Sequence, residues 1–158
     1  MKWNWAIGAA VVGGAYLFNS AMRADRDDTG AIVAEGSVDA FQMRVGDCFD
    51  DGSAFASEEV NSVPGVPCSK PHDNEVYAVF NVTAASFPGE AMAEMAHEGC
   101  LARFESFVGK DYESSSLDIA TLYPSLESWN GQNDREVVCA VYDIDAKKLA
   151  GTVKGLRL

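Results

Sequence analysis

The chain has 158 residues, 47% of them hydrophobic, with 24 acidic against 12 basic side chains and a formal net charge of −12. That length fits one domain plus a tail, and the apolar content is too high for a disordered chain. A surface this acidic repels phosphate backbones, so nucleic acid is not the expected partner.

Residues 1–22 carry Lys2 as their one charged side chain, and the run from Trp3 onward is close to the ~20 residues that cross a bilayer as a helix. Trp3, Trp5 and Tyr16 suit interfacial positions, and glycines such as Gly8, Gly13 and Gly14 are tolerated in membrane helices. A cleaved signal peptide would need a small-x-small site near the end of the run, and none is clear. A lipoprotein signal would need a cysteine, and the first is Cys48. The expectation is an uncleaved N-terminal anchor over residues 1–22. Flanking charge does not orient it, because Arg23 and Arg26 are diluted by Asp25, Asp27 and Asp28. The cysteines do. All four lie beyond residue 47, and four cysteines behind an export-like segment read as two disulfides in an oxidising compartment. Residues 23–158 are therefore expected outside the cytoplasm, with residues 23–37 as a solvated, turn-rich spacer and a domain over 38–158. A short strand at Ile32 and Val33 is the one element read in the spacer.

Within the domain, Phe41, Met43 and Val45 alternate as in a strand running to Gly46. Asp47, Asp50 and Asp51 then surround Cys48 in a turn. They lack the loop spacing of a calcium-binding EF-hand and read as exposed carboxylates. Pro64, Pro67 and Pro71 lock three φ angles, which excludes helix and disfavours a central strand around Cys68. Past His72 and Asp73 the chain changes to alternating β-branched and aromatic residues from Val76 to Val82, a strand buried on at least one face. Cys48 and Cys68 flank turns at neighbouring strand ends and are paired on that ground.

Phe87-Pro88-Gly89-Glu90 turns into the one strong helix. Met92, Ala96, Cys100, Phe104 and Phe107 recur at spacings of three and four up to Val108, with Gly109 as the stop. His97 sits one position off that stripe, at its boundary. Leu117, Ile119 and Thr121 begin another strand. Pro124 opens a short helix that folds Trp129 back on the core. Arg135 to Tyr142 is a buried strand centred on Cys139, which is paired with the inward-facing Cys100. Leu149 to Val153 reads as a last edge strand. Strands, helix, then strands again give an α+β fold: an antiparallel sheet, one main packed helix and two disulfides.

Cys48, Cys68 and His72 offer three zinc-type ligands, but paired cysteines in an oxidising compartment argue against a metal. A Cys68, His72 and Asp73 nucleophilic arrangement fails on the same disulfide. No G-x-S-x-G, H-E-x-x-H or phosphate-binding glycine loop is present. No cofactor and no catalytic set are expected. His72 and Asp73 read first as a turn, and His72, Asp73, Asp47 and Trp129 stand as possible interaction residues.

One resemblance adds to this. Val45-Gly46-Asp47-Cys48-Phe49-Asp50-Asp51, Val66-Pro67-Cys68-Ser69, Pro71-His72-Asp73 and Glu75-Val76-Tyr77-Ala78-Val79-Phe80 resemble the septum formation family of actinobacterial envelope proteins. Further matching blocks are Phe87-Pro88-Gly89-Glu90, Cys100, Tyr123-Pro124, Ser128-Trp129, Asp134-Arg135 and Val137 to Asp143. Lys70 stands where an acidic residue is usual, and Asn130 to Asn133 is a longer segment than the family pattern has. The resemblance implies a non-enzymatic, membrane-anchored envelope domain that contacts other envelope or division proteins at the septum. The competing expectation is a secreted metal-binding protein or hydrolase using Asp47, His72 and Asp73.

Overall fold

The computed structural model describes the backbone of Asn4–Ile7 and all of residues 23–52 and 60–158. Three long strands form the centre: β7 (Asn74–Asn81), β8 (Leu117–Pro124) and β9 (Glu136–Asp143). β9 lies between the other two, antiparallel to both, and most residues of all three are buried. Burial on both faces explains their nearly continuous apolar runs.

The sheet extends beyond them on both sides. β1 (Asn4–Ile7), β4 (Gly36–Asp39), β5 (Cys48–Phe49) and β6 (Ser62–Val66) complete seven strands in the order β1-β8-β9-β7-β5-β6-β4. β2 (Asp25–Arg26) and β3 (Ile32–Ala34) make a separate pair. All named pairings are antiparallel except β1 with β8.

One face of the central strands carries α1 (Ala91–Val108). Met92, Ala96, Cys100, Phe104 and Phe107 are its buried stripe, joined by Val108, and they meet Tyr77, Ile119, Val137 and Val141 in one core. Gly109 ends the helix in the left-handed region at φ 81°, its amide donating to the Glu105 carbonyl. Gly99 lies where a Cβ would run into the Phe80 ring, so glycine sets how closely α1 approaches β7. The Cys100–Cys139 disulfide staples that contact, and the Tyr77 hydroxyl donates to the Cys100 carbonyl at 2.7 Å. The other face is covered by Ile32, Val38, Met43, Phe49, Val60 and Val63, which pack with Val76, Leu122, Val138 and Ala140.

The structure corrects several expectations. A helix is expected from Trp3 onward, yet Asn4–Ile7 is a strand paired in register with Thr121 to Pro124. Tryptophan and isoleucine suit a strand, and the β8 edge supplies the backbone partners. The remainder of that expected helix lies outside the described residues. No helix among the described residues is long and apolar enough to cross a membrane. Segment 23–37, expected as a spacer, instead folds against the domain, with Ile32 in the second core. The expected strand at Phe41 to Val45 is a 3₁₀ turn over Ala40–Gln42, because the Asp39 carboxylate accepts the Phe41 amide and caps it. β6 contains Pro64 despite having neighbours on both sides. The Pro64 carbonyl accepts the Asp50 amide, so its nitrogen faces that side and no bond to β4 is lost. Pro124 ends β8, and Ser125 rather than Pro124 starts α2 (Leu126–Gly131) through a capping box with Ser128. The expected edge strand at Leu149 to Val153 reduces to a single bridge between Leu149 and His72.

A partly buried polar network sits where β8 meets β9. Asp118 accepts hydrogen bonds from the Tyr112 hydroxyl at 2.5 Å, the Ile119 amide at 2.8 Å and the Tyr142 hydroxyl at 3.0 Å. Burial pushes the Asp118 carboxyl up, but these donors outweigh it and hold the group below the usual carboxylate range. Burial and the neighbouring Asp118 push both tyrosines well above their ordinary value. A lowered carboxyl contributes stability that is complete above about pH 4 and is lost as the pH falls below it. A raised tyrosine contributes stability that is complete below about pH 10 and is lost as the pH rises beyond it. The urea midpoint of the Tyr112→Phe/Tyr142→Phe variant should therefore fall less steeply than that of the native chain on both the acid and the alkaline side.

Candidate functional site

The proline-braced corner between β5 and β7 gathers three of the four possible interaction residues. The Cys48–Cys68 disulfide pins it, as the turn positions lead one to expect. The two strands of the corner pair directly: Cys48 with Glu75 and Phe49 with Asn74.

Asp47 is buried, and its carboxylate takes both Arg26 nitrogens at 2.5 and 2.7 Å and the Arg44 amide at 2.9 Å. Asp47 in turn raises the Arg26 guanidinium, against the opposing effect of burial. Asp73 accepts the Asp51 amide at 3.1 Å and, with Asp50, receives the Lys148 ammonium at 2.8 Å. Burial works to raise Asp73, but Lys148 and the Asp51 amide hold it below the usual carboxylate range. Asn74 donates to Asp51 at 2.7 Å. The aspartates around Cys48 are thus not a converging calcium set. Asp47 and Asp50 each face a cationic side chain.

Trp129, the fourth candidate, lies elsewhere. It is buried in the helix-side core with Phe87 edge-on at 5.7 Å and the Arg135 guanidinium 3.5 Å above its ring. Its role there is packing and cation–π contact.

His72 is fully buried. Its backbone amide and carbonyl pair with Leu149 at 3.1 and 2.7 Å. Its Nδ1 lies 2.7 Å from the Lys70 carbonyl, which can only accept, so Nδ1 carries a proton and donates to it. No protein group among the described residues lies within hydrogen-bonding distance of Nε2.

Glu75, Arg26, Lys148 and residues 149–153 are the parts of this corner that sequence reasoning missed. Glu75 is buried beside Cys48, and its carboxylate accepts the Thr152 hydroxyl at 2.5 Å and the Val153 amide at 2.7 Å. The Gly151 amide donates to the Cys68 carbonyl at 3.0 Å. The C-terminal segment therefore lies over the disulfide. One signal was available: a glutamate inside a strand buried on both faces must be paired. Beside the corner, a groove of about 730 Å³ runs along β4 and β6, lined among others by Glu35, Ser37, Pro64, Lys70 and Pro71.

The sequence profile of the septum formation family matches residues 45–156. The chain belongs to the septum formation family. No curated protein and no solved structure matches it. The matched span holds both disulfides, the whole His72–Glu75 corner and the segment that covers it. Arg26, outside that span, reaches into the septum formation domain through Asp47.

Removing Arg26 would leave the Asp47 carboxylate buried with a backbone amide as its remaining donor. Arg26→Ala is expected to lower stability by about 2–4 kcal/mol. Lys148 is half-exposed, and Lys148→Ala should lower it by less than about 1 kcal/mol. Urea unfolding of the two variants checks the contrast.

Proposed function

We propose that this chain is a non-enzymatic interaction domain of the cell envelope that acts in septum formation, held at the membrane by residues 1–22 with residues 23–158 outside the cytoplasm. The observation that carries this reading is the family match over residues 45–156. The two disulfides support an oxidising location. The cationic partners of Asp47 and Asp73 support a non-catalytic role, because carboxylates so paired are poorly placed to act as bases. The same pairing weakens the alternative, a metal-binding protein or hydrolase using Asp47, His72 and Asp73. Other envelope or division proteins are the partners this reading implies, and an acidic surface favours partners with basic patches.

The anchor imposes a condition on β1. With Asn4–Ile7 extended, the uncharged run left for a helix is residues 8–22, about 22 Å at ~1.5 Å per residue. The hydrocarbon core is ~30 Å thick. Spanning the bilayer therefore requires residues 4–7 to leave the β8 edge.

A full-length chain tagged at its C-terminus with a fluorophore that matures outside the cytoplasm tests the proposal in dividing source cells. A membrane-fraction protein with signal concentrated at mid-cell is the expected result. An even envelope signal would remove the septal role, and a soluble protein would remove the anchor.

A further inference from the structure

The oxidised corner leaves one buried group unexplained, and the atoms around it define a site. A ring nitrogen of His72, the Cys48 Sγ and a Glu75 carboxylate oxygen lie within 4.8 Å of one another, all three residues being buried. His72 Nε2 is buried with no hydrogen-bond partner among the described residues. Buried polar groups without partners are rare in folded proteins and call for an explanation, and a cation is one that these neighbours fit.

The surroundings are those of metal ligands. A metal-bound histidine commonly donates its other ring N–H to a carbonyl, which fixes the tautomer and the ring plane. Here Nδ1 donates to the Lys70 carbonyl. Ligating carboxylates are likewise oriented by hydrogen bonds. Glu75 is held by the Thr152 hydroxyl and the Val153 amide. What is missing is a thiolate, because Cys48 is bonded to Cys68. A disulfide sulfur is a poor ligand, whereas the thiolate binds zinc well.

We infer that reduction of the Cys48–Cys68 disulfide creates a zinc-type cation site from Cys48, His72 and Glu75, with the Cys68 thiolate available as the fourth ligand. The reductant is a dithiol. It supplies two electrons and two protons, becomes a cyclic disulfide itself, and leaves two cysteine thiols where the S–S bond was. Zinc then displaces the thiol protons into solvent. Cys68 is half-buried, so this bond is open to attack, while Cys100 and Cys139 are both fully buried. The set of one or two thiolates, an imidazole and a carboxylate suits tetrahedral zinc and disfavours calcium or magnesium, which take oxygen ligands. The corner would thus exist in two closed forms, one held by a disulfide and one by a metal.

The test uses the full-length chain in three forms: oxidised, reduced with a water-soluble phosphine, and Cys68→Ser, which frees Cys48 without reductant. Zinc is titrated in competition with a chromophoric chelator, and near-ultraviolet circular dichroism follows folding. One zinc per chain is expected for the reduced and Cys68→Ser forms and none for the oxidised chain. Adding His72→Gln to Cys68→Ser should weaken binding by more than about tenfold while the fold is kept. Should reduction or substitution loosen the domain, zinc should restore the native spectrum, because binding a folded site stabilises the fold. A folded Cys68→Ser chain that takes no zinc would overturn the inference. So would binding that is indifferent to His72, equal binding by the oxidised chain, or a loosened chain that zinc does not restore.

Discussion

Glu75 is the residue on which the arrangement of this domain turns. Its carboxylate sits inside a strand that is buried on both faces, and it is satisfied by the Thr152 hydroxyl and the Val153 amide. An unpaired carboxylate in that position would cost several kcal/mol. The C-terminal segment therefore has to lie over the corner. Once there, it also pairs with His72, donates the Gly151 amide to the Cys68 carbonyl and buries Leu149 and Val153. One charged side chain thus couples β5, β7, the disulfide and the end of the chain.

Two disulfides extend that coupling to the rest of the molecule. The Cys48–Cys68 bridge closes a separation of 20 residues and the Cys100–Cys139 bridge one of 39. On the chain-entropy account each contributes roughly 3–4 kcal/mol, a large share of a domain's net stability. They act on different parts. Cys100–Cys139 joins the helix to the middle of the sheet, deep in the core. Cys48–Cys68 lies at the edge of the corner, where Cys68 is half-buried.

Much of this was legible in the chain. The helix followed from the three-and-four spacing of Met92 to Phe107, and the stop at Gly109 from its freedom at positive φ. The strands around Val76, Ile119 and Cys139 followed from β-branched runs, and both disulfides from where the cysteines fall on those elements. The failures have specific causes. At Phe41 to Val45 the alternation was real, but a local bond from the Asp39 carboxylate to the Phe41 amide favoured a turn. At Pro64 the rule against proline in a strand with two neighbours applies only on the side its nitrogen faces; that side is Asp50, just past the end of β5, so the pairing with β4 loses nothing. Segment 23–37 looked solvated because its charges are many, yet one of them, Arg26, is held by a buried aspartate 21 positions away. Long-range pairing of this kind leaves no periodic signal. The same holds for the corner: His72 and Asp73 were read as a local turn, while their partners Leu149 and Lys148 come from the far end of the chain.

Pairing to Glu75 and His72 makes the C-terminal segment and the corner one cooperative unit, and amide hydrogen exchange at Val153 measures that directly. The Val153 amide should exchange as slowly as amides in the middle of β9, because freeing it exposes the Glu75 carboxylate to the core and requires global unfolding. Exchange at the rate of the exposed turn around Asp145, with β9 still protected, would show that the segment opens by itself and would contradict the account.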